Sequence, residues 1–108
     1  MPTHEEKALA FQKLHKESGC FVIPNPWDRG SARMLAKLGF KALATTSAGF
    51  DFASGRPDGT ASLDEFLAHC RDMATATDLP VSADMENCYA DPAEGVADTI
   101  RRAAATGL

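Results

Sequence analysis

The sequence predicts an α/β fold: a parallel sheet whose strands are joined by helices in right-handed crossovers. Two observations predict it. Helical patterns alternate along the 108 residues with three short apolar runs, Cys20–Ile23, Ala42–Thr46 and Pro80–Asp84. Each run is apolar on both faces, as a strand covered by helices on either side must be.

Thr3 and Glu6 have capping-box spacing, in which two side chains satisfy free N–H groups at a helix start. They open a helix over about residues 3–18, with Ala8, Phe11 and Leu14 or His15 on its inner side. Gly19 stops it. Cys20-Phe21-Val22-Ile23 is too short for a helix and is β-branched and aromatic, so it reads as a buried strand. Pro24, Asn25 and Pro26 end it, because proline brings no N–H to a ladder. A second helix runs over about residues 30–38, with Ala32, Leu35, Ala36 and Leu38 inward and Gly39 closing it.

Ala42–Thr46 reads as a second buried strand, and Ser47–Ala61, rich in Gly, Ser, Pro and Asp, as a loop. Ser62 and Glu65 repeat the capping-box spacing, and Phe66, Leu67, Cys70, Met73 and Ala74 then form the clearest amphipathic stripe in the chain. Pro80–Asp84 is the third strand. Asp91 as N-cap, Pro92 in the first turn and Glu94 start a fourth helix. Val96, Ile100, Ala103 and Ala104 face inward and Gly107 ends it. Three strands leave two open sheet edges and a thin core, so the chain reads as the front part of a longer α/β protein.

Composition narrows the function. Eleven Lys and Arg against fifteen Asp and Glu give a formal charge of −4. No basic cluster exceeds Arg101-Arg102, which argues against nucleic acid or an anionic membrane surface as partner. No apolar run approaches the ~20 residues of a membrane span, and the polar, acidic N-terminus has no signal core. Cys20, Cys70 and Cys88 are odd in number and lack CxxC spacing, which suits a reduced, cytoplasmic setting. His4, His15 and His69 stand singly and read as surface or boundary residues.

The polar residues gather at the C-terminal ends of the strands, where parallel α/β folds bind ligands. Asn25, Trp27 and Asp28 follow the first strand, and Thr45, Thr46, Ser47 and Gly49, with Asp58 further on, follow the second. Asp84, Glu86, Asn87 and Tyr89 follow the third. If that strand stays extended, Asp84 and Glu86 point to the same face. Two adjacent carboxylates repel, and a hard divalent cation such as Mg2+ relieves this with one or two carboxylates and several waters. A helix cap or a solvated turn is the plainer reading of the same pair. The small side chains of Thr45–Gly49 leave backbone N–H groups open to a carboxylate or phosphate, or form an ordinary turn. Neither a Walker loop nor a dinucleotide fingerprint is present.

Four motifs in order resemble the isocitrate lyase / phosphoenolpyruvate mutase superfamily: Phe21-Val22-Ile23-Pro24-Asn25-Pro26-Trp27-Asp28, Thr45-Thr46-Ser47-Ala48-Gly49, Gly55-Arg56-Pro57-Asp58-Gly59 and Val81-Ser82-Ala83-Asp84-Met85-Glu86-Asn87. Its phosphonomutase-like branch is the nearest in pattern. The resemblance implies the N-terminal portion, about three β/α units, of a TIM (β/α)8 barrel. It implies Mg2+ dependence and a small carboxylate or phosphonate substrate, handled by C–C lyase or phosphonomutase chemistry through an enolate. By the same resemblance Thr45, Thr46 and Ser47 grip the substrate carboxylate, Asp58 is the catalytic loop aspartate, and Asp84 and Glu86 hold the metal. Cys88 stands where relatives carry glycine.

The resemblance also implies a homo-oligomer. A full barrel takes about 250 residues, so this chain is expected to be a fragment with little activity alone. Two alternatives stand beside it. One is a non-catalytic association module using the open sheet edges. The other is an aldolase-type barrel, which wants a Schiff-base lysine at a strand's C-terminal end. Lys41 lies at the opposite end of its strand.

Overall fold

Capping chemistry sets most of the helix starts. A computed structural model describes all of residues 1–108. The elements in order are α1 (His4–Lys16), α2 (Arg29–Lys37), β1 (Leu43–Ala44), α3 (Ser47–Ala53), α4 (Leu63–Ala76), β2 (Val81–Ser82) and α5 (Ala93–Ala104). Thr3 with Glu6 and Ser62 with Glu65 form reciprocal capping boxes at α1 and α4, where the spacing predicts them. Asp28 and Ser31 make a third at α2, so Asp28 serves as a helix cap. At α5 the cap is Pro92, with no side-chain bond, rather than Asp91. Gly39, at φ 97°, supplies the left-handed turn that follows α2.

The sheet is parallel, as the alternation predicts, with Leu43 opposite Val81 and Ala44 opposite Ser82. It has two strands rather than three. Cys20–Ile23 forms no ladder, and Val22 is exposed. The segment still lies beside β1, where the Ala44 N–H donates to the Pro24 carbonyl at 3.1 Å. The next ladder donors are lost to Pro24 and Pro26, which have no N–H. The Asn25 side-chain amide takes their place and donates to the Ala44 carbonyl at 3.1 Å.

The core sits around α4. One cluster joins Ala32, Leu43, Met73, Ala76 and Val81 between α2, α4 and the sheet. The other joins Phe66, Leu67, Cys70, Met85 and Ala103 between α4, α5 and the segment after β2. Burying Phe66, Leu43 or Met73 contributes about 1.5–3 kcal/mol each. The whole predicted α4 stripe is buried, and His69 is buried with it, stacked on Phe50 at 4.3 Å between ring centroids. That corrects the reading of His69 as a boundary residue.

Other faces depart from their patterns because few elements cover them. In α2, Leu38 is exposed. In α5, Thr99 and Ala103 point inward while Ile100 and Ala104 are exposed. In α1 the buried residue is Lys7, not the Ala8–Phe11 side. Its ammonium donates to the carbonyls of Ala74 at 2.7 Å and Thr77 at 3.0 Å. It thereby caps the C-terminus of α4, where orphan carbonyls and the helix dipole favour a cation.

Candidate active site

Because β1 and β2 run parallel, the bends that follow them lie at one end of the sheet. The Thr45 N–H donates to the Ser82 carbonyl at 2.9 Å. One step on, the Asp84 N–H donates to the Thr45 hydroxyl at 3.0 Å. A side chain thus continues the ladder beyond the strands and fixes Asp84 against the Thr45 bend.

The predicted loop after β1 begins as a helix. Thr46 is its N-cap, accepting from the Gly49 N–H at 3.2 Å, and Ser47 is its first residue. Gly49 is required by its neighbour, since a Cβ there would stand 2.3 Å from the Trp27 indole. Sequence reasoning misses α3 because Ser, Gly and Asp within seven residues read as turn formers. Its support is tertiary, from Phe50 packing on Phe66 and His69.

Ser47 is buried, and its hydroxyl lies 3.3 Å from Asp58 Oδ1 and 3.4 Å from Asp84 Oδ2. One hydroxyl carries one proton, so it donates to a single carboxylate at a time. The structure therefore joins the side chains of Ser47, Asp58 and Asp84, one from each of three separate segments, with the Thr45 hydroxyl bonded to the Asp84 backbone beside them. Asp58 and Asp84 are exposed, and the site opens to solvent.

Glu86 departs from expectation. The chain does not stay extended past β2: Met85 is buried, and Glu86 takes a left-handed φ of 52°. Cys88 and Tyr89 follow at φ 61° and 57°, in a turn closed by the Cys88 N–H donating to the Met85 carbonyl at 2.7 Å. Strand alternation therefore does not set the relation of Asp84 to Glu86. Instead the Glu86 N–H donates to Asp84 Oδ1 at 3.1 Å. No three acids, histidines or cysteines converge as a ready-made ligand set.

The donor chemistry still fits Mg2+, which binds oxygen, takes one or two carboxylates and keeps waters. Asp84 and Asp58 supply two converging carboxylates that share only one proton donor. Tyr89 reports the charge of this region. Burial raises its pKa, and the carboxylates of Glu86, Asp51 and Asp84 add to the rise, so its hydroxyl stays protonated. By contrast, burial pushes the Cys70 thiol up to about 12, leaving it an inert core residue. Lys41 is exposed ahead of β1, at the end away from Thr45, where it could not serve this site.

Taken together, fold and site define an α/β protein with an acidic, hydroxyl-lined rim at the C-terminal ends of parallel strands. The chain belongs to the phosphoenolpyruvate phosphomutase family, whose pattern matches residues 11–108. It is similar to a crystal structure of a candidate lyase/mutase from Burkholderia cenocepacia J2315, with 51% identity, a TM-score of 0.95 and 97% of this chain covered. It resembles 2,3-dimethylmalate lyase, a PEP mutase/isocitrate lyase superfamily member, with 27% identity, a TM-score of 0.82 and the whole of this chain covered. It is 31% identical over 88 residues, 81% of its length, to a 2-methylisocitrate lyase of Halalkalibacterium halodurans. The chain spans 38%, 38% and 29% of these three relatives respectively.

Proposed function

We propose that this chain forms the opening units of a (β/α)8-barrel enzyme that handles small 2-oxo or 2-hydroxy carboxylates with Mg2+. The observation that carries the reading is the Ser47 hydroxyl set between Asp58 and Asp84. The chain's similarity to longer lyases and mutases of the family supports it. No helix of the chain is long and apolar enough to cross a membrane. Full activity is proposed for a protein that supplies the remaining barrel units, in keeping with the length of the relatives.

In this reading Asp84 and Asp58, with Glu86 beside them, would hold the metal. Bound Mg2+ supplies Lewis-acid polarisation of the substrate's 2-oxo oxygen. The Thr45–Ser47 bend receives the substrate carboxylate on its hydroxyls and on backbone N–H groups at the start of α3. Ser47 can turn its proton from one aspartate to the other as a ligand arrives. Asp58, on an exposed loop at the rim, is placed to exchange a proton with substrate or with water.

Calorimetric titration of oxalate, a planar dianion shaped like an enolised 2-oxo acid, tests the proposal. Binding is expected with Mg2+ present and lost in EDTA, and Ser47→Ala and Asp84→Asn are expected to weaken it. Equal binding in EDTA, or none by the unaltered chain in millimolar Mg2+, overturns the reading.

A further inference from the structure

Asp51 lies one turn beyond Ser47 on α3 and is almost wholly buried. Its Oδ2 accepts the N–H groups of Gly59 at 2.8 Å and Thr60 at 3.3 Å. Its own carbonyl accepts the Arg56 N–H at 2.9 Å. One residue thus grips both ends of the turn that carries Asp58. Residues four apart share a helix face. The face whose Ser47 hydroxyl meets Asp58 therefore also carries the carboxylate that holds the two amides following Asp58.

Its second oxygen, Oδ1, is buried with no hydrogen bond, 4.0 Å from the Arg56 guanidinium. Arg56 Nε is buried without a partner as well, while the other end of that side chain donates to Glu65 Oε2 at 3.1 Å. A buried carboxylate with an unpaired oxygen is costly, and the Gly59 and Thr60 amides with the nearby Arg56 guanidinium offset only part of that cost. An apolar side chain at this position would give α3 the same packing without that cost, but it would not hold the loop.

We infer that Asp51 is a positioning residue: it holds the Gly55–Thr60 turn so that Asp58 stays beside Ser47. The functional weight of the inference rests on the role proposed above for Asp58, whereas its geometric content does not.

Nuclear magnetic resonance of the full chain tests it with Asp51→Ala and the conservative Asp51→Asn, which keeps an acceptor oxygen. In Asp51→Ala, amide exchange at Gly59 and Thr60 is expected to quicken about tenfold or more, as in local opening. The Ser47–Asp58 side-chain proximity signal is expected to vanish, while protection of Cys70 and Met73 on α4 persists. Asp51→Asn is expected to restore part of both loop readouts. In the Mg2+–oxalate titration, Asp51→Ala is expected to bind more weakly than Asp51→Asn. Unchanged exchange and proximity in Asp51→Ala overturn the inference. So does protection lost equally across α4 with no rescue by Asp51→Asn, which would make Asp51 a general fold residue. An unaltered chain that binds no Mg2+–oxalate would sink the proposed function but would leave these loop readouts to decide the positioning role.

Discussion

The hydroxyl of Thr45 accepts the backbone N–H of Asp84 at 3.0 Å, joining the bend after one strand to the bend after its parallel neighbour. Thr45 is buried while Asp84 is exposed, so this bond is part-buried at the rim of the site. Thr45→Val keeps the shape and removes the acceptor. It is expected to cost about 1 kcal/mol in denaturant unfolding, the net contribution of one hydrogen bond. It is also expected to speed amide exchange at Asp84. Thr45→Ser keeps the acceptor and is expected to preserve that protection.

Cys88 sits at φ 61° without being glycine. A side chain there costs about 1–2 kcal/mol, part of which glycine returns through the freedom of the unfolded chain. Cys88→Gly is therefore expected to stabilise the protein by about 0.5–1 kcal/mol. Cys88→Val, which is β-branched, is expected to destabilise it. Thermal unfolding of the two variants measures the difference in sign.

Gly49 lies under the chain's single tryptophan. Gly49→Ala drives a methyl into the Trp27 indole, which is half-exposed and can swing outward. Red-shifted tryptophan emission is expected, with a loss of about 1–3 kcal/mol from overpacking. Unshifted emission would show that the two do not touch.

His69 links stability to pH. Burial lowers its pKa below 6.5, against the opposing pull of Asp72 and Asp28. In the window between the lowered value and 6.5, the unfolded chain binds more protons than the folded one. Stability therefore rises with pH through that window and is lost as pH falls below 6.5. His69→Phe removes this contribution. Its unfolding free energy is expected to change less than the wild type's between pH 6.5 and pH 5, as read from urea denaturation at each pH.

Much of this was legible because local chemistry decided it. The Thr3–Glu6 and Ser62–Glu65 boxes start helices by satisfying their own first N–H groups. The Phe66–Ala74 stripe is buried because α4 packs among α2, α3 and α5. The gathering of Ser47, Asp58 and Asp84 follows from parallel pairing, which puts the strand ends at one pole. Illegible features depend on partners distant in sequence. The helix of α3 is held by Phe50 stacking on His69, and the burial of Lys7 depends on α4 carbonyls 67 and 70 residues away. The turn at Glu86 is formed by residues that ordinarily avoid positive φ, so no local signal marks it.

The central claim is that Ser47, Asp58 and Asp84 frame one divalent-metal site. The most direct measurement is paramagnetic broadening of amide signals as Mn2+, a spectroscopic stand-in for Mg2+, is added to the labelled chain. The account predicts that the amides of Ser47, Asp58, Asp84 and their neighbours broaden first, and that excess Mg2+ restores them. Broadening centred on another acidic surface, such as Asp72 or Asp98, or no selective broadening at all, would contradict it.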